Sequence, residues 1–263
     1  MAVPRVLVLR APGTNCDEET AFAFEAAGGC AERVHVNRLI DNPTLASRYQ
    51  ILCVPGGFSY GDDIAAGRIL AGQMKRHLAE MVQQFCDQDR LVLGICNGFQ
   101  VLMRLGVLTH GISQTQPATL TWNDHGRFED RWVDLCVDQT PCVFLRGIER
   151  MYLPIAHAEG KFVTTSPDVR RQFADAGRLA LRYAGGTGAN DVDQVLDFPA
   201  NPNGSEANVA GICDATGRLF GLMPHPERHI DATQHPHWTR RKTQPERGEG
   251  FAIFKNAIDY FGE

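Results

Sequence analysis

The sequence lacks an apolar run long enough to cross a membrane and has no strong excess of charge of either sign. A transmembrane helix needs about 20 consecutive apolar residues. The net charge of −5 gives no reason to expect nucleic acid or an anionic membrane as a partner. The first apolar run, residues 5–10, is too short for a signal peptide and fits a β-strand. We therefore expect a cytoplasmic protein that binds neither nucleic acid nor membrane.

Sequence motifs for metal and nucleotide binding are also missing. The eight cysteines include no Cys-x-x-Cys pair, and no His-Glu-x-x-His motif is present. The chain has no Gly-x-x-x-x-Gly-Lys-Ser/Thr phosphate loop either. We therefore expect reduced thiols, no metal or cofactor held by this chain, and no ATP site of its own.

Apolar strands alternate with amphipathic segments in the first half of the chain. Helices are predicted after Asn15, over residues 64–86 and from Asn97. Wholly apolar strands between helices are typical of a parallel sheet that is covered on both faces. The predicted strands are residues 5–10, 32–39, 51–54 and 91–95.

The pattern changes after about residue 118, where short strand-like segments alternate with turns. These segments predict antiparallel strands added to the sheet, and a closing helix is predicted from Ile253. The sequence contains no internal repeat and no low-complexity tract. We therefore expect one α/β domain with a mostly parallel central sheet, helices on both faces and added antiparallel strands.

The segment LGICNGFQ, residues 93–100, places a cysteine on a sharp bend between a strand and a helix. Gly94 and Gly98, two residues before and after Cys96, leave room for such a bend. The amides that begin the helix favour a thiolate, and the N–H of Asn97 can face an oxyanion. Cys96 is therefore either a nucleophile or a small core residue beside a glycine-flanked turn.

A second glycine turn, VPGGFSYGDD at residues 54–63, also follows a strand. If this strand lies beside the strand that leads to Cys96, the amide of Gly57 can supply the other half of an oxyanion hole. The alternative is a plain turn. Asp62 and Asp63 could bind a metal, but we expect them to cap the following helix because no further carboxylates lie nearby.

The segment GLMPHPER, residues 221–228, offers a candidate base. Flanking prolines favour an extended conformation, in which His225 and Glu227 point to the same side. The carboxylate can then orient the ring while the other ring nitrogen faces a thiol, as in catalytic triads. A solvated loop is one alternative. A metal site is the other, but we do not expect one; it would include the nearby histidines, His229, His235 and His237.

Together, PGGF, GICNGFQ and MPHPE resemble the class I, triad-type glutamine amidotransferases, which have a flavodoxin-like fold. The resemblance runs from about Arg5 to His229 and implies a single glutamine amidotransferase domain over residues 1–263. Four longer segments are similar to the glutaminase subunits of phosphoribosylformylglycinamidine synthase. They are GGFSYGDDIAAGRILA (56–71), NDHGRFEDRW (123–132), PIAHAEGKF (154–162) and NPNGS (201–205).

The resemblance implies roles for the residues singled out above. Cys96 would attack the side-chain amide of L-glutamine, His225 would move the proton, and Glu227 would orient the ring. The amides of Gly57 and Asn97 would hold the oxyanion. Water would then release glutamate from a γ-glutamyl thioester.

The resemblance also implies a substrate contact and partners. Gln100 matches the family position that contacts glutamine. Ammonia would pass to a PurL-type synthetase subunit, which would use ATP and Mg to make formylglycinamidine ribonucleotide in de novo purine biosynthesis. A small PurS-type subunit would complete the assembly.

Two places depart from the family pattern. Ala158 stands where glycine is expected, which puts the conformation of that loop in doubt. The segment 231–250 has no counterpart that we can align. Its basic run is either a solvated face or a subunit contact; it contains Trp238, Arg240, Arg241 and Lys242.

Other functions remain open from the sequence. One is a stand-alone cysteine hydrolase of γ-glutamyl compounds, which would need no partner, and another is a different class I amidotransferase. A third is an inactive scaffold subunit. The joint presence of Cys96, His225 and Glu227 speaks against the scaffold, which has no need of all three.

Overall fold

The computed structural model describes residues 3–109, 111–112, 116–185, 192–241 and 245–262. The strands within these ranges are β1 (Arg5–Arg10), β2 (Cys30–His35), β3 (Ile51–Val54), β4 (Leu91–Ile95), β5 (Ala118–Thr121), β6 (Glu129–Val137), β7 (Arg150–His157), β8 (Lys161–Thr164), β9 (Leu181–Tyr183), β10 (Val209–Cys213) and β11 (Leu219–Leu222). The α-helices are α1 (Asp17–Ala26), α2 (Val36–Asp41), α3 (Arg68–His77), α4 (Ala79–Asp87), α5 (Asn97–Leu105), α6 (Pro167–Asp175) and α7 (Phe251–Asp259).

Nine strands form one sheet in the order β2-β1-β3-β4-β11-β10-β9-β6-β7, and β5 pairs with β8 separately. The five strands from β2 to β11 in this order are parallel, and the remaining four are antiparallel. The predicted fold class, a mostly parallel α/β sheet with added antiparallel strands, is confirmed. The boundary of one domain over residues 1–263 stays a prediction.

The central strands are apolar because neither face of the sheet meets water there. Every residue of β3, β4 and β11 is buried, as expected for strands with helices on both sides. Helix α1 packs on α7 through Phe24 and Phe254, whose ring centroids lie 4.9 Å apart. Helix α5 packs on both α3 and β4.

The pairing of β4 with β11 brings two distant parts of the chain together. The register places Gly94 beside Gly221 and Ile95 beside Leu222. The amide of Cys96 then donates a hydrogen bond to the Leu222 carbonyl at 2.8 Å. Both strands therefore end at the same edge of the sheet, and the residues that follow them meet there.

The turn between β4 and α5 has no space for extra side chains. A Cβ atom at position 98 would lie 1.7 Å from the carbonyl oxygen of Val54 in β3. A Cβ at position 94 would lie 2.8 Å from the carbonyl carbon of Gly98. Glycine at both positions is therefore required by the close approach of α5 to the sheet.

Two local predictions were wrong. The helix expected over residues 64–86 is two helices that meet at Leu78, which has a non-helical conformation. The apolar spacing continues across this break, so it gave no sign of it. The strand expected over 32–39 ends at His35, whose side chain accepts a hydrogen bond from the Asn37 amide and begins α2.

His225, His229 and Glu249 bind the free edge of β7, the last strand of the sheet. Tyr152 donates its amide to a Glu249 carboxylate oxygen at 2.5 Å, and its carbonyl lies 2.9 Å from Nδ1 of His229. Hydrogen bonds of this kind occupy the edge of the strand and prevent it from pairing with strands of other chains. Lys242 of the predicted basic run lies outside the described residues. No helix in the part of the chain described is long and apolar enough to span a membrane.

The crowding at position 98 gives a stability prediction. Gly98→Ala should lower the free energy of unfolding by about 3 kcal/mol, because the new methyl group must displace α5 or β3. Gly72→Ala is a matched control, since nothing lies within 4 Å of a Cβ there. It should raise the free energy of unfolding by about 0.5–1 kcal/mol, since alanine favours the helix. Urea unfolding measures both, and equal stability of the two variants would contradict the account.

Candidate active site

Cys96 sits on the bend that the two glycines predict. It follows β4, precedes α5 and has φ = 50° and ψ = −105°, a left-handed conformation that is rare outside glycine. Its side chain is 5% exposed, and Sγ lies 3.6 Å from the carbonyl oxygen of Ala156. Non-glycine residues held in strained conformations cluster at functional sites. The geometry therefore favours a nucleophilic role for Cys96 over a structural role in the core.

His225 and Glu227 form a buried pair at the same edge of the sheet. Nδ1 of His225 lies 2.5 Å from a Glu227 carboxylate oxygen. The other carboxylate oxygen of Glu227 is buried without a hydrogen-bond partner among the described residues, as is Nε2 of His225. The predicted pair is therefore present, although residues 226–228 form a short 3₁₀ turn and not the extended chain we expected.

The surroundings of His225 favour its protonated form. Burial opposes the charge, but the Glu227 carboxylate and the nearby sulfur of Cys96 raise the pKa of His225 well above its ordinary value. A ring that is stabilised as imidazolium can hold the proton that a thiol gives up. The structure thus brings the sequence-predicted thiol and imidazole together.

Cys16 is a neighbour of this pair that the sequence gave no reason to expect. Its sulfur and the ligand atoms of His225 and Glu227 all lie within 4.8 Å of one another. Arg228 donates a hydrogen bond to the Cys16 sulfur at 3.2 Å, and burial raises the pKa of the thiol. Only this group brings three metal-ligating atoms together among the described residues. Its His225 and Glu227 atoms are already bonded to each other.

A cavity of about 190 Å³ opens beside Cys96 and is lined by Gly57 and Gln100. Gln100 donates to the carbonyl of Glu159 at 2.6 Å and accepts from the Asn97 side chain at 3.0 Å. Asn97 begins α5, where the first amides have no partner within the helix. The roles of Gly57 and Asn97 in an oxyanion hole, and of Gln100 in substrate binding, stay predictions.

The second wall of the cavity is the end of β7 and the loop after it, residues 156–159. Ala158, where glycine was expected, does not have a positive φ, so its methyl group fits. Gly160 does need to be glycine, because a Cβ there would lie 2.3 Å from the His157 ring. Asn203, in the NPNGS segment, donates to the Gly160 carbonyl at 2.9 Å and supports this loop from behind.

His157 is buried as a neutral ring in the cavity wall. Nδ1 lies 3.2 Å from the side-chain oxygen of Asn123. Burial, with a smaller contribution from His225, lowers the pKa of His157 to about 3. The folded protein therefore resists protonation of this ring.

This resistance should make the stability depend on pH. An unfolded histidine has a pKa of about 6.5, so below that pH the unfolded chain binds a proton that the folded chain does not. The free energy of unfolding must then fall as the pH falls towards about 3. At pH 5.5, one unit below, we expect His157 to account for a loss of about 1.4 kcal/mol relative to neutral pH.

Urea unfolding of His157→Gln at pH 7.5 and 5.5 measures this contribution, since the variant lacks the titrating ring. Its loss of stability between the two pH values should be about 1.4 kcal/mol smaller than that of the unchanged chain. His77→Gln, at an exposed position, should behave like the unchanged chain. An identical pH dependence in all three proteins would contradict the assignment.

A mostly parallel sheet with a strained cysteine at its carboxyl edge, beside a buried His–Glu pair, is the arrangement of a triad-type glutamine amidotransferase. Residues 3–261 match the family of CobB/CobQ-like glutamine amidotransferase domains, and the chain belongs to this family.

Particular relatives narrow the comparison. The chain is 44% identical over 261 residues to phosphoribosylformylglycinamidine synthase subunit PurQ of Dehalococcoides mccartyi. The match covers 99% of this chain and 98% of the relative. The PurQ subunit of Methanococcus maripaludis is 38% identical over 274 residues, with 99% and 98% covered. A chain in the solved structure of PurLQS from Thermotoga maritima is 28% identical with a TM-score of 0.72, and the match covers 99% of this chain and 100% of that one.

Proposed function

We propose that this chain is the glutaminase subunit of phosphoribosylformylglycinamidine synthase. It hydrolyses L-glutamine and delivers ammonia to an ATP-dependent synthetase subunit, which makes formylglycinamidine ribonucleotide for purine biosynthesis. The near full-length similarity to PurQ subunits supports this assignment. The observation that carries the chemistry is the strained, cavity-lining Cys96 beside the buried His225–Glu227 pair.

The first half of the reaction forms a thioester. The sulfur of Cys96 attacks the side-chain carbonyl carbon of glutamine, and its proton passes to Nε2 of His225. The Glu227 carboxylate holds Nδ1 and stabilises the imidazolium. The carbon–nitrogen bond then breaks, and the nitrogen takes the proton from His225 and leaves as ammonia.

The second half releases glutamate. Neutral His225 takes a proton from water, whose oxygen attacks the thioester carbon. The carbon–sulfur bond breaks and the sulfur regains a proton, so that Cys96 is restored. In both halves the amides of Gly57 and Asn97 stabilise the negative oxygen of the tetrahedral intermediate.

Replacing the sulfur tests this mechanism. Cys96→Ser should lower glutaminase activity by at least about 10³-fold, because a hydroxyl is a far weaker nucleophile than a thiol. The fold should be retained, since oxygen is no larger than sulfur. Glutamate release by the assembled enzyme measures the effect, with Cys30→Ser, at an exposed position, as the control. Full activity in Cys96→Ser would end the proposal.

The exposed aromatic residues at the mouth of the cavity indicate a surface that binds a protein partner. Phe58, Trp122 and Phe128 line it and are 46%, 56% and 48% exposed. Exposed aromatic clusters mark interaction surfaces. A synthetase subunit that covers this mouth receives ammonia before it escapes into water.

Binding of the synthetase subunit tests this surface. Trp122→Ser should weaken the affinity by about 10-fold or more, because buried tryptophans contribute most to interfaces. Phe22→Ser is the matched control, since Phe22 is 61% exposed on α1 and does not line the cavity. Calorimetric titration with the purified synthetase subunit measures both, and equal loss in the two variants would argue against the surface.

The rest of the assembly follows from the same assignment. ATP and Mg bind to the PurL-type synthetase subunit, and this chain contributes no cofactor. A small PurS-type subunit completes the complex, in keeping with the PurLQS assembly of the Thermotoga maritima relative. All eight cysteines are free thiols, which fits work in the reducing cytoplasm.

A further inference from the structure

The loop that precedes α3 holds two residues in a costly conformation. Tyr60 and Asp62 have φ values of 55° and 52°, in the left-handed region that favours glycine. Such strain persists only where the surrounding structure imposes it, and it clusters at ligand sites. We therefore expect this loop to hold a side chain in a functional position. The catalytic steps above do not involve Tyr60 or Asp62.

Contacts show what the loop places. Asp62 lines the same cavity as Cys96. One of its carboxylate oxygens accepts hydrogen bonds from the Asn97 side chain at 3.0 Å and from the Gly67 amide at 3.1 Å. Asn97 is the residue next to the nucleophile, so the carboxylate is fixed relative to Cys96. We expected Asp62 to cap the following helix, and one of its two donors, the Gly67 amide, does lie directly before α3.

The charges around the cavity are one-sided. Its lining includes the carboxylates of Asp62 and Glu159, and no lysine or arginine is among its described lining residues. Glu159 is compensated, because it accepts the Ala66 amide at 3.2 Å and lies 3.6 Å from an Arg104 nitrogen. Asp62 forms no ion pair with any residue that the structure describes.

Burial raises the pKa of Asp62, and the nearby Glu159 carboxylate acts in the same direction. The hydrogen bonds from Gly67 and Asn97 and the charge of Arg104 oppose this shift and only partly offset it. A bound cation would compensate this charge. Free glutamine carries one, its α-ammonium group, at the end of the molecule opposite the reacting amide.

Resting on the proposed function, we propose that Asp62 binds the α-ammonium group of glutamine and so determines specificity for the free amino acid. The carboxylate holds the far end of the substrate while the side-chain amide lies at Cys96. Asn97 connects the two ends, since it touches Asp62 through its side chain and follows Cys96 in the chain. Amides that lack the ammonium group lose this contact.

The test compares two variants and two substrates in the complex with the synthetase subunit. Asp62→Asn removes the charge but keeps the side-chain oxygen that accepts from Asn97 and Gly67. Asp63→Asn is the control, because Asp63 is exposed in the same loop and does not line the cavity. The substrates are glutamine and the monoamide of glutaric acid, which is glutamine without its α-ammonium group. Ammonia release gives kcat and KM for each.

The unchanged enzyme should prefer glutamine, and Asp62→Asn should lose about 10- to 100-fold in kcat/KM for glutamine, mostly through KM. For the monoamide the same variant should change less than about threefold, since no ammonium is present to bind. Asp63→Asn should match the unchanged enzyme on both.

An equal loss on both substrates would assign Asp62 a structural role and overturn the inference. Unaltered kinetics on glutamine would overturn it as well. Failure of the unchanged enzyme to release ammonia from glutamine at all would instead refute the glutaminase assignment, so the two failures can be told apart.

Discussion

The pairing of β4 with β11 is the contact on which the site depends. Cys96 follows one strand and His225 follows the other, far along the chain, and parallel register ends both strands at one edge of the sheet. The bond from the Cys96 amide to the Leu222 carbonyl closes this register at the bend itself. A slip of one residue would turn the following side chains to opposite faces. The position of Cys96 relative to His225 therefore depends on the register of this one strand pair.

Strand β7 completes the site from the other side. Its alternate carbonyls accept hydrogen bonds from residues of the site. The Tyr152 carbonyl bonds Nδ1 of His229, the Pro154 carbonyl bonds the His225 amide, and the Ala156 carbonyl bonds the Cys96 sulfur. Residues two apart in a strand present their groups in the same direction, so one edge positions both Cys96 and His225. Glu249, from the segment 231–250 that had no counterpart in the family pattern, also binds this edge through the Tyr152 amide.

Local patterns were most informative where they reported steric limits. The glycines around Cys96 predicted the bend because a Cβ at position 98 cannot coexist with the Val54 carbonyl. The spacing of His225 and Glu227 placed the two side chains together, although a 3₁₀ turn achieves it. The apolar pattern did not predict the break at Leu78, because both helices bury apolar residues on the same spacing.

Apolar strands, glycine bends and residue order determined the fold class, and they supplied the candidate thiol, imidazole and carboxylate. All of these are recognised from the type and spacing of residues close together in the chain, which a sequence displays directly. Only the tertiary structure decided that Cys16 lies beside His225 and Glu227 and that Asp62 faces the cavity. Those neighbours are set by loop conformations with positive φ and by packing between distant segments. Such contacts leave no periodic trace along the chain, because their partners lie on other strands and helices.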